Sequence, residues 1–192
     1  MHATEEFQYL TVLISIVLGL GITQLLTGIG RLAQARGRVR LYWPAALWVG
    51  LLFLVHVQSW WAIFALRDHR GWTFLAFLVV LMTPTSLYLM AALALPDIDV
   101  RSGESVDLRA HYYAQARWFF GAVELVILSS LLRPLVFEGR IPLDLDRGIQ
   151  GAYLVLAGVA MVTRREAFHR AFALVGAGLY TAYVTLLFTQ LR

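Results

Sequence analysis

The sequence predicts an all-α, polytopic membrane protein with six transmembrane helices. Hydrophobic residues make up 59% of the 192-residue chain and charged residues only 15%, whereas about 25% of the residues of a soluble domain are charged. The mean hydropathy of +0.68 excludes a disordered chain, which needs a low apolar content. The apolar residues form continuous runs, whereas the strands of a membrane β-barrel alternate apolar and polar positions.

Six apolar runs account for the predicted helices, because a hydrocarbon core about 30 Å thick needs about 20 apolar residues per helix. Five runs meet that length: residues 7–29, 44–66, 72–95, 118–137 and 167–191. The sixth, 149–163, is short and reaches full length only if residues 143–148 join it or the bilayer thins locally. Residues 97–117 are predicted as an interfacial helix or loop, since Tyr112 and Trp118 are of types that favour the membrane surface.

The whole chain, 1–192, is predicted as a single transmembrane domain built from two halves with the same order of helices and connectors. Each half consists of a helix, a connector, a second helix, a short polar turn and a third helix. Three helices per half would place the halves in opposite orientations, as in the 3+3 inverted repeats of many transporters. The sequences of the two halves do not match residue by residue, so the predicted repeat depends on the spacing of the helices alone.

The arginines predict the orientation of the helices, because cytoplasmic loops carry an excess of basic residues. Ten of them lie at the connectors between helices 1 and 2, 3 and 4, and 5 and 6, and six lie on the other side. This bias places both termini on the outer, periplasmic face. The chain has 16 arginines and neither Lys nor Asn, whose codons are A-rich, so we expect a GC-rich bacterial genome and an inner-membrane location.

Several chemistries are excluded by what the sequence lacks. Without Cys there is no thiolate metal site, and without Lys there is no Schiff base. The chain has no HExxH, GxSxG or P-loop motif. Only His56 is predicted at membrane depth, while His2, His69, His111 and His169 are predicted in termini, loops or interfacial segments, which does not support bis-His haem ligation. We therefore expect no enzyme activity, cofactor or metal, and the scattered arginines do not indicate nucleic acid.

Ionisable side chains at membrane depth are the candidate functional residues, because they are costly there and usually face a bundle interior or a water-filled cavity. His56 lies about 18 Å along the second predicted helix, close to Gln58, as either a hydrogen-bonded core residue or a proton relay. Glu124 has no basic residue one turn away, so its partner must come from another helix, another subunit or water. Arg133, near the far end of the same helix, either snorkels to the interface or attracts an anion.

A proline at similar depth gives a second candidate feature. Pro84 lies near the middle of the third predicted helix, where it removes one backbone hydrogen bond and frees the carbonyl of Val80. Thr83, Thr85 and Ser86 surround it. Kinked helices at the midplane are typical of transporter sites, although hydroxyl side chains also satisfy the freed backbone of ordinary membrane helices.

Two predicted helices carry stripes of small and hydroxyl side chains spaced about one turn apart. The candidate residues of these stripes are Gln8, Ser15, Gly19 and Thr23 in the first helix, preceded by Glu5, and Thr181 and Thr185 in the sixth. Such stripes let helices pack closely, within one chain or between the copies of a homo-oligomer. Alternatively, they line a pore whose mouth carries a ring of Glu5 carboxylates, which would favour cations.

These residues lead us to expect an integral membrane channel or transporter for an ion (proton, cation or anion) or a small solute. The expected path follows His56, Gln58, Glu124, Arg133 and the hydroxyls around Pro84, in a homo-oligomer whose partner is the lipid bilayer. The alternative is a non-conducting scaffold, or a protein that binds lipid or a small ligand, whose buried polar groups serve helix packing. That alternative predicts a dry core in which protein groups satisfy each of these side chains.

Overall fold

The structure of the protein is a computed structural model that describes residues 2–67, 69, 71–99, 101, 103–140 and 144–188, with the backbone alone at 2–6 and 186–188. This part of the chain forms six α-helices: α1 (His2–Gln34), α2 (Trp43–Ala62), α3 (Phe74–Ala94), α4 (Leu108–Glu138), α5 (Leu145–Val162) and α6 (Glu166–Phe188). Two 3₁₀ turns, Arg36–Arg38 and Ile63–Leu66, follow α1 and α2. Two short strands, β1 (Val39–Arg40) and β2 (Val106–Asp107), pair in parallel.

Five of the described helices are long and apolar enough to cross a membrane. They are α1 to α5, whose most apolar windows have mean hydropathies between 1.2 and 2.1. Only 11–44% of each window is buried inside the protein, so most of this apolar surface faces outward. Apolar surface of this extent is not tolerated in water by a monomeric protein, and it indicates a membrane-embedded one.

The helices pack as a bundle in which α3 lies along both α1 and α4. α5 packs against α4 and α6 packs mainly against α2, so α5 and α6 lie at the outside with little contact between them. The two halves of the chain therefore pair their helices differently, since α3 packs on α1 whereas α6 packs on α2 rather than on α4. Helix pairing lends the 3+3 repeat no support, and the repeat stays a prediction.

Aromatic side chains fill the centre of the bundle near the starts of α2 and α6. Trp48 packs edge-on against Phe119, Phe120 and Phe172, with ring centroids 5.6–5.8 Å apart. Edge-to-face pairs of this kind contribute about 0.5–1.5 kcal/mol each beyond their burial. All four rings are buried, so this end of the bundle is closed by packed side chains.

α4 is a single helix that begins at Leu108, well before its predicted start at Trp118. The Asp107 side chain caps it by accepting hydrogen bonds of 2.9 Å from the N–H groups of Arg109 and Ala110. Much of the predicted interfacial segment is therefore the first turns of a spanning helix. The β1–β2 pair, which an all-α prediction omits, joins the 1–2 connector to this cap through Val39 and Val106.

α5 reaches 18 residues because it begins at Leu145 rather than at Ile149. The Asp144 side chain caps it by accepting a 2.9 Å hydrogen bond from the Arg147 N–H. The short predicted run 149–163 needs this extension to approach membrane-spanning length. Residue 143, the first of the predicted extension, lies outside the described residues.

α3 continues through Pro84 as one helix. Ser129 of α4 donates a 2.7 Å hydrogen bond to the Val79 carbonyl, so its 3.0 Å contact with Thr83 must have the Thr83 hydroxyl as donor. These bonds join α3 to α4, although the carbonyl they reach is that of Val79 and not that of Val80, which the proline frees. Thr85 is exposed, and Ser86 is buried but is not part of these bonds. Of the three hydroxyls predicted around Pro84, only that of Thr83 therefore joins the hydrogen bonds between α3 and α4.

Candidate functional site

A polar cavity of about 230 Å³ lies between α1, α2, α3, α4 and α6. It occupies the half of the bundle that contains the start of α1 and the ends of α2, α4 and α6. Its polar lining comes from Gln58, Ser59, Thr83, Ser130, Arg133 and Tyr183. We call this space the Arg133 cavity. It brings together three of the predicted site residues, Gln58, Thr83 and Arg133, and adds Ser59, Ser130 and Tyr183, which the sequence did not single out.

Helical spacing explains why these polar groups share one cavity. On α2, Gln58 and Ser59 follow Val55 by three and four residues, and on α4, Ser130 and Arg133 follow Val126 by four and seven. Residues at these spacings lie on one face of a helix. A polar face of α2 is therefore turned toward a polar face of α4.

Arg133 supplies a positive charge to the cavity. Its side chain is half-buried, and its Nε atom is buried without a hydrogen-bond partner. Among the described residues, no carboxylate forms an ion pair with this guanidinium. A buried polar group without a partner costs free energy, and a charged one costs more. The guanidinium therefore has no ion-pair partner in the described part of the chain.

A second arginine approaches the same turn of α4 from α5. Arg147 donates hydrogen bonds of 3.0 Å to the Ser130 carbonyl and 3.1 Å to Gln150 Oε1. Gln150 in turn donates a 2.7 Å hydrogen bond to Asp146. Arg147 therefore has hydrogen-bond acceptors in α4 and α5, and Gln150 links it to the Asp146 carboxylate.

His56 lies outside the cavity, although it is only two residues from Gln58. Two residues turn a helix by about 200°, so the two side chains point in nearly opposite directions. The fully buried imidazole donates a 2.7 Å hydrogen bond from Nδ1 to the Leu52 carbonyl, while Nε2 packs against Gly21 without a partner. This geometry is that of a packed core histidine, because neither nitrogen reaches a described polar group outside α2.

Glu124 also lies apart from the cavity, against Gly158 of α5. A Cβ at Gly158 would come within 3.1 Å of a Glu124 carboxylate oxygen. The side chain is half-buried and makes no hydrogen bond or ion pair with any described residue. A single chain therefore does not join His56, Gln58 and Glu124 into one continuous path.

The two small-residue stripes face away from the bundle. Ser15 is half-buried, and the exposed members are Gln8, Gly19, Thr23, Thr181 and Thr185. The hydroxyls of Thr23 and Thr181 each donate a 2.8 Å hydrogen bond to a carbonyl of their own helix. The Glu5 side chain lies outside the described residues. The exposed members of the stripes do not pack helices together within one chain.

A buried polar cluster closes the opposite end of the bundle. His169, which the sequence analysis placed at the interface, is fully buried and accepts a 3.0 Å hydrogen bond at Nδ1 from the Tyr112 hydroxyl. Its Nε2–H donates a 3.0 Å hydrogen bond to the Thr163 carbonyl. Nearby, the Tyr42 and Tyr113 hydroxyls lie 3.2 Å apart, and burial raises the pKa of Tyr42. In the sequence, the aromatic and apolar residues spaced around His169 in α6 are the pattern that indicates this core position.

Comparison with family models, curated proteins and solved structures finds no match to this chain in any of the three. Within the described residues, no group of three or more His, Asp or Glu side chains comes together as a metal site would require. The chemistry of the Arg133 cavity therefore carries the functional interpretation.

Proposed function

We propose that this chain is a membrane transport protein whose substrate is an anion bound beside Arg133. One observation carries the proposal: the guanidinium faces a polar cavity at membrane depth, with no carboxylate among the described residues to neutralise it. Ionisable groups within membrane segments are costly and commonly mark ligand or ion pathways. An anion in the cavity would offset that cost.

The other polar side chains of the cavity suit an anion, because they can donate hydrogen bonds. Ser59, Ser130 and Tyr183 have hydroxyls, and Gln58 has an amide with two N–H donors. Hydrogen bonds to a charged partner are about twice as strong as neutral ones. A cation would instead be repelled by the guanidinium. Of the three kinds of ion that the sequence leaves open, the lining favours the anion.

The shape of the cavity favours a carrier over an open pore. Toward the opposite end, the core is filled by His56, Leu87 and the buried rings around Trp48. A binding site near mid-membrane that opens to one side at a time is the arrangement of alternating-access carriers. The proposed transport cycle would need a helix to move, and α6, which packs on the rest of the bundle less extensively than the other helices, is the candidate.

We also propose how the protein lies in the membrane. All six helices, α6 included, would cross the inner membrane of a bacterium, with both termini on the outer face as the arginine bias indicates. The cavity would then open toward the outer side, since it lies near the start of α1. The exposed stripes of α1 and α6 would be contact surfaces between copies in a homo-oligomer.

Anion flux into liposomes containing the purified protein tests this proposal. Movement of four anions across the liposome membrane, namely chloride, phosphate, a short monocarboxylate and short-chain phosphatidylglycerol, is compared with uptake of sodium ions and protons. We expect anion flux that falls at least about tenfold in Arg133→Gln, since a charged hydrogen bond contributes about 1.5–3 kcal/mol. The control is Arg140→Gln, because the Arg140 side chain is 81% exposed. Cation flux alone, or anion flux unchanged in Arg133→Gln, contradicts the proposal.

The second candidate is a non-conducting protein that binds a lipid or a small ligand. The filled core around His56 favours it, because a closed interior offers no route from one face to the other. The same liposomes separate the two candidates. The second predicts anion binding that depends on Arg133 without flux of any ion.

A further inference from the structure

An apolar cleft of about 340 Å³ lies between α2, α4, α5 and α6, next to the Arg133 cavity. Its walls include Leu51, Ile127, Ile149, Leu179 and Tyr180. Ligand pockets commonly have volumes of about 300–1,000 Å³. The cleft is therefore large enough for part of a ligand, and its walls favour an apolar part.

The cleft and the Arg133 cavity share a wall. Val55, Gln58 and Tyr183 border both spaces. On one side of these residues lies the unpaired guanidinium of Arg133, and on the other lies a surface made mostly of hydrocarbon. A ligand that occupied both spaces would need a negatively charged end and an apolar end.

The cleft is open toward the side of the bundle. Near Gly176 of α6, the Tyr153 side chain of α5 and the Trp48 ring of α2 fill the space between the helices, since an added Cβ would lie 2.6 Å from the Tyr153 hydroxyl and 3.2 Å from the Trp48 ring. Farther along the two helices, the cleft residues Ile149 of α5 and Leu179 of α6 are 43% and 41% exposed. Exposed apolar side chains on membrane-spanning helices face lipid tails, so the access route to the cleft lies in the lipid phase.

From this juxtaposition we infer that the substrate is a bilayer lipid with an anionic headgroup, which enters sideways between α5 and α6. The headgroup lies beside Arg133, and one hydrocarbon chain lies in the cleft. The inference rests on the proposed function, since it names the class of anion that the Arg133 cavity binds. A soluble anion would leave the cleft empty, whereas a lipid with a neutral headgroup would leave Arg133 without a counter-ion.

The chemistry of arginine supports a lipid headgroup of this kind. A guanidinium binds phosphate oxygens through two parallel hydrogen bonds, and basic pockets between transmembrane helices bind anionic headgroups. The donors of Gln58 and Tyr183 stand at the boundary between the polar and the apolar space. That is the position of the glycerol region of a lipid whose headgroup is at Arg133.

The test compares lipids that share their chains and differ in their headgroup. Full-length protein in detergent micelles is titrated with phosphatidylglycerol, phosphatidylcholine or glycerol 3-phosphate, and bound ligand is measured by native mass spectrometry. We expect phosphatidylglycerol to bind at least about fivefold more tightly than phosphatidylcholine. This preference is lost in Arg133→Gln and kept in Arg140→Gln.

Two further variants test the cleft separately from the charge. Leu179→Trp fills the cleft and should weaken phosphatidylglycerol binding without changing the binding of glycerol 3-phosphate. Its control is Val155→Trp, because Val155 is 66% exposed on α5 and lies outside the cleft lining. Arg133→Lys keeps the charge but not the two-pronged geometry, so it should retain part of the preference. Circular dichroism checks that each variant is folded.

The outcomes separate the lipid inference from the proposed function. Equal binding of the two phospholipids by the wild type overturns the inference, as does a Leu179→Trp variant that binds phosphatidylglycerol like the wild type. If glycerol 3-phosphate still binds and depends on Arg133, the proposed function survives this result. If no anion, lipid or soluble, responds to Arg133→Gln or Arg133→Lys, both are overturned.

Discussion

The contact between α1 and α2 at His56 can be tested by adding a single methyl group. A Cβ at position 21 would overlap the His56 imidazole. The ring is fully buried and is held by the 2.7 Å hydrogen bond from Nδ1 to the Leu52 carbonyl. In Gly21→Ala, either the ring moves and this bond is lost, or α1 moves away from α2.

We expect Gly21→Ala to lower the free energy of unfolding by about 0.5–4 kcal/mol. Overpacking a filled core costs about 1–3 kcal/mol, and losing the imidazole hydrogen bond costs about 0.5–1.5 kcal/mol. Against this, replacing a helical Gly by Ala stabilises by about 0.5–1 kcal/mol. The net loss is large enough to measure by reversible unfolding in mixed micelles, followed by circular dichroism.

The same helix supplies a matched control. Nothing lies within 4 Å of a Cβ placed at Gly19, so Gly19→Ala should be neutral or stabilising by up to about 1 kcal/mol. In the His56→Ala background, Gly21→Ala should cost much less than in the wild type, because the ring it would overlap is gone. Equal stability of Gly21→Ala and Gly19→Ala would refute this reasoning.

Two further substitutions probe α4. Ser129→Ala removes the 2.7 Å hydrogen bond to the Val79 carbonyl and the acceptor for the Thr83 hydroxyl. Unfolding measurements should reveal that the free energy of unfolding falls by about 1–3 kcal/mol. Unchanged stability would mean that these two hydrogen bonds between α3 and α4 do not form. Glu124→Gln removes a carboxylate without a described partner, so we expect a stability within about 1 kcal/mol of the exposed control Glu138→Gln. A loss of about 3–5 kcal/mol, as for a broken buried ion pair, would identify a partner for Glu124 and contradict its isolation.

The membrane-embedded helices could be predicted from the sequence because the bilayer imposes a length on every apolar run. The helix ends could not be predicted as well, since they depend on caps and not on hydropathy. Asp107 and Asp144 start α4 and α5 before the apolar runs begin. The first turns of α4 contain charged and polar residues, and a hydropathy pattern does not distinguish such turns from a loop.

The candidate site could be predicted only in part, because the sequence gives depth along a helix but not which neighbour a side chain faces. Gln58, Thr83 and Arg133 were chosen for their depth, and they line one cavity. His56 was chosen in the same way, but its direction around α2 places it against Gly21. Ser130 and Tyr183 are ordinary residues in the sequence and become part of the site only through the packing of α4 and α6.

The central claim is that a bound anion, and not a carboxylate of this chain, neutralises Arg133. The most direct measurement is an experimental structure of the protein purified with its lipids and equilibrated with bromide. We expect density for bromide or for an anionic headgroup within hydrogen-bonding distance of the Arg133 guanidinium. A guanidinium paired with an Asp or Glu of the protein, beside a cavity that holds no anion, would contradict the claim.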